Sequence, residues 1–227
     1  MQAHVAFTPD EVPRAPVGIV VDVLRASSTI VQALESGYRR VLCCAEVEEA
    51  FALRDELGGA LAGERLAARV PGFDFDNSPR EMVHPIAETL ILTTTNGTRA
   101  VVTAASRCET VLVGSLLNLD AVAAAANARG RDVVVLCAGV DGKRTEDDAY
   151  CAGRIVELLV AERGENAGEA VAVARSFDGL HEAFAASDNP RQAGLEDDID
   201  WCARENVCTV VPAVSGLHSE AAELTGS

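Results

Sequence analysis

Acids, hydroxyls and arginines gather where apolar runs give way to polar turns. Asp22-Val-Leu-Arg25-Ala-Ser27-Ser28-Thr29 sets a carboxylate, a guanidinium and three hydroxyls where a helix would begin. Free backbone N–H groups at such an end favour anions, although Asp22 orienting a turn and Ser27 or Ser28 capping a helix would explain the same residues. Thr93-Thr94-Thr95-Asn96-Gly97-Thr98-Arg99 has the composition of an oxyanion cradle. Hydroxyl and N–H donors surround the ion, Gly97 lets backbone approach, and Arg99 adds charge. Gly114-Ser115-Leu-Leu-Asn118 repeats the theme weakly and by itself reads as a turn. Thr145 then precedes Glu146-Asp147-Asp148. Acids in a first helical turn suit the macrodipole, and three together near an anion cradle also suit a hard divalent cation. Phosphate held by donors and bridged through magnesium to carboxylates is an arrangement for phosphoryl chemistry.

Further acids stand in Gly63-Glu64-Arg65 and Gly72-Phe73-Asp74-Phe75-Asp76-Asn77-Ser78-Pro79. Phe73 and Phe75 are expected to pin this loop, leaving Asp74 or Asp76 to face a site. Other chemistries fail on spacing. Gly139-Val-Asp-Gly142-Lys143-Arg144 is too short for a nucleotide P-loop and lacks its Ser/Thr. Cys137 is followed by Lys143 where a cysteine phosphatase loop needs arginine, and Leu24 stands where a haloacid-dehalogenase-type site has its second acid. The histidines at 4, 84, 181 and 218 lie far apart, and no Cys-x-x-Cys, Gly-x-Ser-x-Gly or Gly-x-Gly-x-x-Gly occurs.

The elements that must position these residues alternate. Strands are predicted at 18–23, 41–44, 60–63, 89–93, 110–114, 132–137 and 208–212. Helices are predicted from Ser27 or Ser28 to Gly37, and over 46–57, 98–106, 120–129 (with Asp120 as cap) and 146–163. Residues 64–79 read as loop. Residues 168–206 read as helical, with breaks near Asp178-Gly179 and Asn189-Pro190, and the tail after about 216 as frayed. Such alternation means a three-layer α/β/α fold with a mostly parallel or mixed central sheet, here as a single domain over 1–227. Ligands of such sheets bind beyond the C-terminal strand ends, where the polar turns lie.

Lys plus Arg number 19 against 35 Asp plus Glu in 227 residues, a net charge of −16. So acidic a surface repels nucleic acid and anionic membrane, leaving small molecules, metals or further copies of the chain, as a homo-oligomer, as partners. No apolar run is long enough to cross a bilayer and no signal peptide is apparent. Seven scattered cysteines, including the adjacent Cys43 and Cys44, read as reduced, mostly buried thiols of a cytoplasmic protein.

Taken in order, Val21-Asp-Val-Leu-Arg-Ala-Ser-Ser-Thr29, Gly63-Glu-Arg65, Gly72 to Pro79, Thr93 to Thr98, Gly114 to Asn118, and Cys137-Ala-Gly139 through Glu146-Asp147 to Cys151-Ala-Gly153 resemble the 2-phosphosulfolactate phosphatase family, from about Gly18 to about Pro212. The resemblance implies a Mg²⁺-dependent phosphatase of α/β/α fold. It would hydrolyse (2R)-2-phospho-3-sulfolactate, a small anionic phosphoester, to 3-sulfolactate and phosphate, a step of coenzyme M biosynthesis. Leu66 and Ala67 stand where the family has glycines, and Phe75 and Asp76 replace a Leu-Gly pair.

By resemblance, Asp22, Glu64, Asp74, Glu146 and Asp147 are the acidic site residues, and Arg25, Thr94, Asn96, Gly97, Ser115 and Asn118 lie on the anion side. The turns add Ser27, Ser28, Arg65, Thr95, Thr98 and Arg99 as substrate contacts. Asp22, Arg25, Glu146 and Asp147 are expected to be catalytic. Asp22, Glu146 and Asp147, with Glu64 or Asp74, are expected to bind Mg²⁺ directly or through water, and a remaining carboxylate acts as base. Asp22 as a covalent nucleophile is the competing mechanism. A phosphatase for another small phosphorylated hydroxy acid, or a non-catalytic anion-binding α/β protein, are the alternatives; metal affinity separates the latter.

Overall fold

The computed structural model describes residues 1–187 and 195–227. In chain order its elements are β1 (Gln2–Ala6), β2 (Ala15–Val21), α1 (Ala26–Glu35), β3 (Arg40–Cys44), α2 (Val47–Leu57), β4 (Ala60–Arg65), β5 (Ala68–Arg69) and β6 (Thr89–Thr93). There follow α3 (Gly97–Arg107), β7 (Cys108–Val113), α4 (Leu119–Arg129), β8 (Val133–Cys137), α5 (Glu146–Leu158) and β9 (Glu162–Arg163). The last are α6 (Ala167–Ser176), α7 (Leu180–Ala186), α8 (Glu196–Cys202), β10 (Pro212–His218) and β11 (Ala221–Gly226).

Among the described residues eleven strands form one sheet, in the order β5-β4-β6-β3-β11-β10-β7-β2-β8-β1-β9. It is mixed and mostly parallel. Two parallel blocks, β4-β6-β3 and β7-β2-β8-β1-β9, are joined by the antiparallel β10–β11 hairpin. β6 and β8 are buried along their whole length, as strands covered on both faces must be. Alternation sends Val17, Ile19, Val21, Val133, Val135 and Cys137 into one core with α4, α5 and α6. Val20, Val134 and Leu136 pack with α1 and α3 on the opposite face. This is the expected helix–sheet–helix layering.

Several boundaries differ from expectation. The tail after 216 is not frayed: it completes β10 and forms β11 at the middle of the sheet, with Ala221, Ala222 and Leu224 fully buried. The 208–212 strand shifts accordingly, beginning at Pro212. β1, absent from the sequence reading, pairs with β8. The 146–163 helix stops at Leu158, and Glu162–Arg163 form β9 beside β1. The 64–79 loop contains the β4–β5 hairpin. Asp120 does not cap α4. Asn118 holds that position at the end of a 3-10 turn, Leu116–Asn118, while the Asp120 amide donates to Asn206 Oδ1. The long helical stretch resolves into α6, α7 and α8; its expected break at Asn189-Pro190 lies outside the described residues. All seven thiols are free and six are buried, with Cys108 half-buried. No helix of the described residues is long and apolar enough to cross a membrane.

Candidate active site

The polar turns after β2, β4, β6 and β8 converge, with the first turn of α5, on one cavity. Asp22, Arg25, Glu64, Asn77, Asn96, Thr145, Asp147 and Asp148 bring the polar groups; Leu24, Ala67, Gly139, Val140 and Leu195 complete the wall. The inserted hairpin separates β6 from β2 in the sheet. α3 packs against β2, β3, β7 and β11, and so carries the β6 turn across to Asp22. A methyl group at Gly97 would run into the Asp22 carboxylate and the Ala26 Cβ; only glycine permits this approach.

The serines after β2 do not cap α1, whose N-cap position is Arg25. Ser27 Oγ donates to the Asp22 carbonyl (2.8 Å) and accepts from the Asp22 amide (3.2 Å), and Ser28 Oγ donates to the Val23 carbonyl (2.8 Å). Both hydroxyls are spent on the strand end. What the turn offers the cavity is charge. Asp22 Oδ1 accepts from the Ala26 amide at 3.3 Å. Burial, reinforced by the charges of Glu64 and Asp147, pushes the Asp22 carboxyl up to about 7 against the pull of that amide and of Arg25. Arg25, 5% exposed, follows a cis Leu24–Arg25 peptide and pairs with Asp198 (2.8 Å) and Asp76 (3.0 Å).

Glu64 is buried, and its two oxygens accept from the amides of Thr95 (2.8 Å) and Ala67 (2.9 Å), with the Thr95 hydroxyl at 3.2 Å. The rest of the threonine turn is self-contained. Thr94 and Thr98 exchange bonds between amides and hydroxyls at 3.0 and 3.1 Å. Asn96 alone among its polar side chains lines the cavity, its Oδ1 accepting from the Asp141 amide at 3.4 Å. Arg65 donates to the carbonyls of Glu64 and Ala45 and to Thr93 Oγ1. With Arg99 it lines a separate cavity that shares Asn96; Arg99 itself pairs with Glu46 at 2.7 Å.

At the start of α5, Asp147 is 3% exposed and accepts from Ser187 Oγ at 2.6 Å. Burial raises its carboxyl, and the Ser187 bond opposes the rise. Asp148 was not among the predicted site residues. It too is buried, and accepts from the Val23 amide (2.9 Å) and the Gly139 amide (3.0 Å), tying α5 to the ends of β2 and β8. Burial, Asp147 and Asp22 drive its carboxyl well above the usual range. Its signal lay in the helical period: Asp148, Ala152 and Ile155 share the buried face of α5.

Three groups of expected site residues lie elsewhere. Glu146 pairs with Arg144 at 3.1 Å on the rim, and does not line the cavity. Asp74 is exposed and accepts from the Leu61 amide at 2.8 Å, a strand-end bond outside the cavity. Phe73 does pin its loop, buried edge-on against Phe51 at 5.3 Å, while Phe75 is half-buried and Asp76 turns to Arg25. Ser115 and Asn118 are fully buried and bond each other's turn, closing a capping box. Asn77 was also missed: its side-chain oxygen is buried in the cavity wall and has no partner among the described residues.

The donor set bears on a metal. Among the described residues no three acidic, imidazole or thiol side chains form a ready-made cage. Mg²⁺ seldom uses one, taking one or two carboxylates with waters and substrate oxygens. The cavity offers hard oxygens from Asp22, Asp147 and Asn77. Among the described residues that line it, the one guanidinium is already shared by two acids outside the lining, and acidic side chains outnumber it. These residues fit a hard divalent cation.

A family model described as 2-phosphosulpholactate phosphatase matches residues 6–216. A protein of Methanothermobacter thermautotrophicus named 2-phosphosulfolactate phosphatase is 38% identical over 197 residues, covering 86% of this chain and 84% of its own. Proteins named probable 2-phosphosulfolactate phosphatase are similar too. That of Thermus thermophilus is 36% identical, covering 96% of this chain and 93% of its own. That of Clostridium perfringens strain 13 is 34% identical, covering 87% and 85%.

Proposed function

Because this chain belongs to the 2-phosphosulfolactate phosphatase family, we propose that it hydrolyses 2-phosphosulfolactate to 3-sulfolactate and phosphate with Mg²⁺ as cofactor. The observation that carries the reading is one cavity at the strand ends that joins Asp22, Glu64 and Asp147 to Arg25 and to an Asn77 oxygen that has no partner among the described residues. Asp22 and Asp147, with Asn77, would hold the ion, which supplies neutralisation of phosphoryl charge.

The chain's own groups do the rest. Arg25 attracts the phosphoester, and Asn96 offers its side chain from the opposite turn. Glu64, fixed by the Thr95 and Ala67 amides, accepts the proton of the attacking water. The hydroxyl oxygen bonds to phosphorus, the ester P–O bond breaks, and the departing alkoxide takes up a proton from solvent. Asp198 and Ser187 keep Arg25 and Asp147 in place.

The test is phosphate release from 2-phosphosulfolactate, 2-phospholactate and simple phosphomonoesters, with Mg²⁺ and after chelation. The expected result is metal-dependent release, fastest on 2-phosphosulfolactate, that disappears in Asp22→Asn. Release that survives chelation, or survives Asp22→Asn, overturns the reading. Borohydride added during turnover, followed by mass spectrometry of the Asp22 peptide, separates direct attack by water from attack by Asp22, since only an aspartyl phosphate is reduced there to homoserine.

A further inference from the structure

Among the described residues Arg25 is the one cationic side chain that lines the cavity, and its charge is already answered twice. Nη1 donates to Asp198 Oδ2 at 2.8 Å and to Asp76 Oδ2 at 3.0 Å. The two acids are held differently. Asp198 is 5% exposed and also accepts from Ser78 Oγ (2.6 Å) and Arg80 Nε (3.1 Å), so it belongs to the frame. Asp76 is 24% exposed on the loop before the 3-10 turn Pro79–Val83. Its Oδ1 accepts from the Asn77 amide at 2.7 Å, and its own amide donates to Glu81 at 2.7 Å. The carboxylate is therefore a fixed counter-charge rather than a mobile arm.

We propose that Asp76 determines substrate charge preference: by sharing Arg25 with Asp198, it limits how much negative charge the cavity accepts. The inference rests on the phosphatase reading and adds a specificity residue to it. An anion entering the cavity meets Arg25 between two carboxylates, of which Asp198 is answered by Arg80 as well, while Asp76 is paired among the described residues with Arg25 alone. At these distances and in a partly dry site, one carboxylate charge changes ligand affinity strongly. The penalty grows with each charge on the ligand. It therefore falls harder on 2-phosphosulfolactate than on 2-phospholactate, which lacks the sulfonate.

Asp76→Asn removes the charge and keeps the loop's shape; Asp76→Glu keeps the charge. The first reading is the ratio of kcat/KM for 2-phosphosulfolactate to that for 2-phospholactate, with both variants checked for native circular dichroism. Asp76→Asn is expected to raise this ratio about five- to fiftyfold, mainly through KM, while Asp76→Glu leaves it near the original value. A ratio within twofold of the original in Asp76→Asn overturns the proposal, as does an equal rise in Asp76→Glu. The second reading needs no turnover: calorimetric titration with 3-sulfolactate, expected to bind Asp76→Asn several-fold more tightly than the original protein. If no ester is hydrolysed but this affinity still rises, the phosphatase reading fails and the role of Asp76 stands. If esters are hydrolysed and neither ratio nor affinity moves, the role of Asp76 fails alone.

Discussion

The turns after β2 and β7 are built from the same kinds of residue and end in opposite states. After β7, Ser115 Oγ accepts from the Leu117 amide and Asn118 Oδ1 from the Ser115 amide. Asn118 Nδ2 donates to the carbonyls of Val113 and Val210. Every polar side-chain group is used to hold the strand, the 3-10 turn and the approach to β10, and nothing is left for a ligand. After β2, Ser27 and Ser28 are spent in the same way, but Asp22 and Arg25 remain and face the cavity. A hydroxyl-rich turn at a strand end is thus not by itself an anion site. Its hydroxyls build the turn, and the chemistry falls to charged side chains that the turn does not consume.

The sharpest way to break this comparison is in the β2 turn. Asp22→Asn is expected to cut phosphate release by about 10³-fold, with the far-UV circular dichroism and melting temperature retained. Arg25→Leu should show both kinds of effect. It leaves Asp198 buried with Ser78 and Arg80 as its remaining partners, so urea unfolding should report a loss of about 3 kcal/mol, and phosphate release a loss of about 10²-fold. In the β7 turn the effects should divide cleanly. Ser115→Ala is expected to lower unfolding free energy by about 1–2 kcal/mol and leave kcat/KM per folded molecule unchanged. The smallest effect belongs to Glu146→Gln on the rim. Release should fall by less than about threefold, with stability moving within about 0.5 kcal/mol, because a partly exposed pair with Arg144 contributes little. A large loss of activity in Ser115→Ala or Glu146→Gln would mean that the turns are not divided as described.

The same contrast explains how much was readable. β6 and β8 are β-branched or leucine-rich runs buried on both faces, and their boundaries were legible within a residue. β10 and β11 were not. Pro212–His218 contains glycine and serine, Ala221–Gly226 is alanine-rich, and neither carries the β-branched density of a central strand. Their strand state comes from the two blocks they bridge, which is tertiary context. At the site, Asp22, Arg25, Glu64, Asn96 and Asp147 were legible because strand ends collect ligands. Glu146 was drawn in by the family resemblance; the helix phase turns Asp147 and Asp148 inward and leaves Glu146 on the rim. Asn77 and Asp198 come from segments distant in sequence, and only folding brings them to Arg25 and its cavity.

The hairpin at the centre of the sheet also sets an order of events. Strands β3 and β7 keep an unpaired backbone edge until β10 and β11 arrive, and those residues leave the ribosome after every other element described. A chain still lacking them cannot close the sheet, because the edges of β3 and β7 are without the partners they have in the fold. A neighbouring chain that supplies its own hairpin at that stage would fill the gap equally well, giving an exchanged dimer. Crowded synthesis should favour that product, and slow dilution the self-closed form.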